Sequence, residues 1–195
     1  MIGSFTGDWI VYNAPHTMYY FLKILGPFTG TGLLVAIGLG YMVEGQKWFG
    51  EHLLFGLFAS LASILTLVMF LFYFIATGST VKEAAIKKVI DIKLYRQSRK
   101  FKGKLFPWIS ITILILMVSP IMGAAYDAGK TPIWIHEAIS IVACGLYLLT
   151  LIKVGAKIPE NQGIYVEAVM ELDKEEREQT KINPGNPSDD QTTQT

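Results

Sequence analysis

Two short pairs of residues hold the chemistry this sequence offers: Glu51-His52 and His136-Glu137. Imidazole nitrogen is a ligand for haem iron and for first-row metals, and carboxylate can join it on a metal. Each pair stands where a polar stretch gives way to a long apolar run. A shift of 84 residues lays His52 on His136, Gly56 on Ser140, Ala59 on Ala143 and Ser60 on Cys144. The same shift lays Leu65-Thr66-Leu67 on Leu149-Thr150-Leu151, whereas Tyr41 and Tyr126 match only with a one-residue gap. Coincident Leu and Ala are common between apolar helices. A histidine at the same end of each copy is not.

Three kinds of chemistry suit the pair. In the first, both histidines are structural. They sit beside Trp48 and Trp134, and such residues belong at a membrane–water interface, where ionisable groups are cheap. In the second, His52 and His136 are the two axial ligands of one b-type haem between facing helices of a bundle. Gly56, Ser60 and Ser140 would leave room for the flat macrocycle. No helix carries two histidines spaced for two stacked haems, as a wire across the membrane would need. In the third, Glu51, His52, His136 and Glu137 hold zinc, copper or iron, with Asp127 and Glu44 nearby. There is no HExxH, and these ligands lie on separate helices. His16, the third histidine, precedes the first apolar run, and Cys144 falls mid-span as a small packing residue.

The elements that must position the pairs are long and apolar. The chain has 195 residues, 51% of them hydrophobic, and a mean hydropathy of +0.39, with its charges confined between apolar blocks. This composition belongs to a membrane protein. Twenty-four residues from Leu53 to Ala76 carry no charge, enough to cross a core of about 30 Å. The net charge of +1 gives no global field for nucleic acid, and one cysteine excludes an internal disulfide. There is no CxxCH for covalent haem, no signal peptide, no lipidation motif and no P-loop or GxSxG. No charged residue lies deep in a span, which argues against an ion pump or proton relay. It also argues against a transporter with a polar midplane site, although Thr66, Thr112 and Thr150 offer hydroxyls.

Taken in order, residues 1–20 form an aromatic interfacial segment with a helix start at Asn13-Pro15. Residues 21–77 form a first transmembrane hairpin, with Gly32, Ala36 and Gly40 on one ridge suited to meeting another helix. Gly78 reads as a helix end and Thr80-Val-Lys-Glu83 as a capping box opening a basic connecting helix over 78–104. Its basic residues read first as a topology signal drawn to anionic lipid; Val81, Ala85, Val89 and Ile92 on one face and Ile86, Ile90 and Leu94 on another also suit docking on a partner subunit. A second hairpin follows over 105–157, with Pro107 in the first turn of its first helix and Pro120 as a kink. Residues 158–195 read as an acidic tail, disordered beyond a short helix over 165–180.

The expected fold is all-α: a polytopic four-transmembrane-helix bundle built from two weakly related helical hairpins. Nine Lys/Arg between 80 and 104 place that connection, and both termini, in the cytoplasm. Lys153 and Lys157 agree, and loops 44–51 and 127–132 then face outward. The leading functional expectation is a small, non-catalytic structural or anchoring subunit of a larger membrane complex. Its partners are then the lipid bilayer and other membrane subunits, with no nucleic acid and no soluble substrate. The alternative is a b-type cytochrome subunit passing electrons through a haem on His52 and His136.

Overall fold

A computed structural model describes residues 5–43 and 47–182, with side chains from Thr17 onward. Its four helices are α1 (Phe5–Met42), α2 (Phe49–Ile86), α3 (Ile92–Asp127) and α4 (Ile133–Ile182). Each has an 18-residue window apolar enough to cross a bilayer. The chain is an all-α, multi-pass membrane protein. The helices form an antiparallel bundle in which each packs on its sequence neighbours and α4 closes back onto α1. α2 and α4 also touch across the diagonal, whereas α1 and α3 make no close contact among the described residues.

Small residues and hydroxyls bring these helices together. A Cβ on Gly26 would lie 3.0 Å from Leu151 Cδ2, and one on Gly30 would lie 3.2 Å from Leu148 Cδ2, so α1 meets α4 through glycine. The ridge of Gly32, Ala36 and Gly40 faces α2 as expected, reaching Ala59 at Gly32 and His52 at Gly40. At mid-depth, Thr29 pairs with Thr66 (3.5 Å) and Thr112 with Thr150 (2.8 Å). Each threonine can also donate to a carbonyl four residues back. One hydroxyl of a pair can bond backward while its oxygen accepts from the other. The Tyr147 hydroxyl joins Thr29 at the bundle axis.

The helices run further than the boundary signals suggested. Gly78 does not end α2, which continues through the expected capping box to Ile86. A Cβ at Gly78 would lie 2.8 Å from Lys102 Nζ, so this glycine serves close packing on α3. The connection 78–104 is therefore not one helix. It is the end of α2, a turn at 87–91 and the start of α3. The turn is a Schellman motif: Lys88 is left-handed at φ 60°, Lys88 N–H donates to Ala85 O and Val89 N–H to Ala84 O. Asp91 then caps α3, its carboxylate accepting from Lys93 N–H at 2.8 Å. Lys87, in the turn, is held above its usual pKa by its hydrogen bond to Glu83.

Pro107 lies well inside α3 rather than in a first turn, and α4 runs through Pro159 to Ile182 instead of giving way to a tail. Likewise α1 is helical from Phe5, through Asn13 and Pro15. The remaining tail, 183–195, lies outside the described residues.

What carries the helices past the membrane is a second packed layer. Val81 and Ala84 of α2, Ser98 and Phe101 of α3, and Ile158, Asn161, Ile164 and Ala168 of α4 are all buried. Asn161 Nδ2 donates to Thr77 Oγ1, Tyr73 Oη to Gln162 Oε1 and Gln97 Nε2 to Glu160 Oε1, tying α4 to α2 and α3. One apolar face of the basic segment is thus covered within this chain.

Candidate functional site

His52 and His136 occupy the fourth positions of α2 and α4, at the end of the bundle closed by the two short loops. α2 is entered through left-handed Trp48, and α4 through the turn at Gly129 and Pro132. Gly129 N–H donates to Tyr126 O and Lys130 N–H to Ala125 O, a second Schellman closure. Both histidines therefore face inward one turn below a loop, on the two helices that touch across the diagonal.

The imidazoles come together. Their ring centroids are 6.2 Å apart and their planes are inclined at 72°. Each is anchored within its own hairpin: His52 Nδ1 to Ala36 O at 3.1 Å, and His136 Nδ1 to Ser119 O at 3.1 Å. A carbonyl can only accept, so Nδ1 carries the proton in both rings, and in the neutral imidazole Nε2 then bears the lone pair. This is the outer-shell bond typical of metal-ligating histidines, which fixes tautomer and ring orientation.

The carbonyls are reachable because the residue one turn along is glycine in each case. Side chains at i and i+4 share a helix face. Gly40 follows Ala36 by four residues and Gly123 follows Ser119 by four. A Cβ on Gly40 would lie 2.9 Å from His52 Cε1, and one on Gly123 would lie 3.0 Å from His136 Cε1. Each ring thus rests on a glycine and bonds past it.

A cavity of about 330 Å³ lies between the two halves, within the range of about 300–1,000 Å³ common for small-molecule sites. Its walls obey the repeat. At the 84-residue shift Phe49, Leu53, Leu57 and Ser60 of α2 correspond to Ile133, Glu137, Ile141 and Cys144 of α4, and all line it. α1 and α3 correspond at a shift of 83, which pairs Leu33 with Leu116, Ala36 with Ser119, Ile37 with Pro120 and Gly40 with Gly123. The lining is apolar except for the histidines, Ser60, Ser119, Ser140, Cys144, the tyrosine hydroxyls, and Asp127 and Glu137. Ser119 and Ser140 satisfy each other at 2.8 Å.

Of the residues singled out by sequence, the structure brings His52 and His136 together and puts Glu137 and Asp127 in the same wall. Glu51 is exposed and does not line the cavity. Among the described residues no three of His, Cys, Asp or Glu converge as a metal-ligand cluster, so the four-residue set Glu51, His52, His136 and Glu137 is not gathered around one point. The side chain of His16 and all of Glu44 lie outside the described residues. Gly40, Gly123, Ala36 and Ser119 were missed as site residues. A comparison of α1 with α3 at 83 rather than 84 would have found the glycine pair.

His52 and His136 are the residues that would hold an iron-centred group here, their Nδ1 atoms being engaged by carbonyls on the side away from each other's hairpin. Gly56, Ser60 and Ser140, beside the rings, line the cavity. Against family models, curated proteins and solved structures alike, the chain finds no match, which leaves this geometry as the guide to its chemistry.

Proposed function

We propose that the chain is a b-type cytochrome, or the cytochrome subunit of a larger membrane complex, holding one haem between His52 and His136. The observation that carries this is the mutual placement of the two rings. Their ring centroids are 6.2 Å apart, and each ring has Nδ1 bonded to a carbonyl and packs on a glycine. Iron held by two imidazoles has no open position, so the group would exchange single electrons rather than bind oxygen or substrate. The apolar wall would keep water off it.

The positive-inside rule supports placing the basic turn at 87–91 in the cytoplasm and the site near the opposite surface. Burial of Val81 and Ile90 inside the bundle weakens one of the three supports of a purely packing subunit, the others being glycine-lined spans and the lack of a deep polar site. Partner subunits remain part of the proposal as electron donors or acceptors.

The test is an absorption spectrum of the purified protein. A Soret band that shifts on dithionite reduction, with a sharp α band, is expected. His52→Ala and His136→Ala should each lose the low-spin spectrum. A colourless preparation from haem-replete cells would refute the proposal.

A further inference from the structure

We propose that the groove between α3 and α4 at the basic end of the bundle holds an anionic phospholipid, its phosphate between Lys104 and Lys153 and an acyl chain along the apolar rim beyond Trp108. The site lies at the opposite end of the helices from the histidines and stands apart from the haem reading. Contacts between the two helices fix its edges. Gln97 Nε2 donates to Glu160 Oε1, Lys157 Nζ lies 6.0 Å from the centre of the Phe101 ring, and Lys153 Nζ lies 3.5 Å from the centre of the Trp108 ring. Gln97, Phe101, Lys104 and Trp108 follow one another in steps of three and four on α3, as Lys153, Lys157 and Glu160 do on α4. Residues so spaced share a helix face, so each set lines one edge.

Charge is uneven along these edges. Glu160 accepts from Lys157 at 2.7 Å and from Gln97 at 2.9 Å, which neutralises Lys157. Lys104 and Lys153 are exposed, and neither has a carboxylate within ion-pair distance among the described residues. Lys153 rests instead on the indole face, a cation–π contact with a ring of the kind that favours the membrane–water boundary. One turn nearer the histidine end the same edges are apolar and open, with Ile111 (51% exposed) on α3 and Leu149 (50% exposed) on α4. Two free cations followed by hydrocarbon complement a molecule with an anionic head and an apolar tail. A phospholipid whose head carries a phosphodiester and no ammonium has that chemistry. A zwitterionic head would bring its own cation against Lys104 and Lys153.

The repeat supplies a comparison within one molecule. The equivalent groove lies between α1 and α2. There Phe21 stands for Lys104 and Leu25 for Trp108 at the shift of 83, and Met69 stands for Lys153 and Tyr73 for Lys157 at the shift of 84. Both grooves open at the same end of the bundle, and so at the same membrane surface. A topology signal needs cations somewhere at that end. It does not require them beside an indole in one groove and absent from the corresponding places in its twin.

The experiment measures lipid retained by the delipidated full chain in dodecyl maltoside, by native mass spectrometry, with dioleoylphosphatidylglycerol and dioleoylphosphatidylcholine at equal concentration. The first phosphatidylglycerol should be favoured over the first phosphatidylcholine on the order of tenfold, as two lysines at a charged headgroup would give. Lys104→Gln combined with Lys153→Gln should remove the preference. Lys82→Gln combined with Arg99→Gln takes the same charge from exposed positions off the groove and should keep it. Equal retention of the two lipids by the wild type would overturn the assignment. So would an equal loss in both double variants, which would mean a diffuse basic surface. Displacement of the lipid by millimolar glycerol 3-phosphate would give the groove to a soluble phosphate instead.

Discussion

At the scale of single residues, the site depends on what is absent at 40 and 123. Gly40→Ala or Gly123→Ala puts a methyl about 3 Å from an imidazole carbon, inside van der Waals contact. The ring must tilt, and the Nδ1 bond to Ala36 O or Ser119 O stretches or breaks. Disturbing such an outer-shell bond costs about 10–100-fold in metal affinity. Haem titration of the apo-protein should show a loss of that order in either variant, with the helical circular dichroism retained. The histidines themselves were legible from residue type, position and the 84-residue shift. The glycines were half legible: Gly40 appeared only as part of a packing ridge, and Gly123 not at all. The reason is physical. The chain between the histidine helix and its predecessor is one residue longer in the second hairpin, so no single shift aligns both helices. Which carbonyl a ring will reach cannot be read from sequence.

Among the elements, the crossings were legible because charge-free runs of that length have one stable environment. The ends were not. Gly78, Pro107 and Pro159 all carry boundary signals, and all three lie inside helices. Tertiary packing overrides such signals where the flanking residues have a partner to bury against, as Val81, Phe101 and Ile158 do. The break came instead at Lys88, which lacks the glycine that usually marks a left-handed C′ position. That departure has a measurable cost. A non-glycine residue in this conformation is strained by about 1–2 kcal/mol. Lys88→Gly should therefore raise stability by about 1 kcal/mol, seen as a higher midpoint in denaturant unfolding in detergent. A lower midpoint would mean that the Lys88 side chain compensates the strain.

For the whole molecule, the four-helix membrane fold was legible from composition and charge segregation, and its reach beyond the membrane was not. α2 has 38 residues, about 57 Å of helix against a hydrocarbon core of about 30 Å. The surplus lies at the basic end, where α2, α3 and α4 continue as a packed stalk. Of the apolar residues there that suggested a surface for another subunit, Val81 and Ile90 join this chain's own core, whereas Ile86 and Ile92 stay exposed. Reporter fusions should place the turn at 87–91 on the cytoplasmic side and Gly129 on the opposite side, consistent with the basic stalk. Cytoplasmic activity from the Gly129 fusion would invert the molecule and put the histidine site at the inner surface.

The placement of His52 and His136 within the first turn of their helices has an electrical consequence. Moving one elementary charge across the entire membrane against 100 mV takes about 2.3 kcal/mol. With the proposed haem in place, an electron entering and leaving from the short-loop side would cover only a small part of that field. Its midpoint potential should accordingly be nearly independent of the transmembrane voltage. Turnover there would move reducing equivalents without charging the membrane.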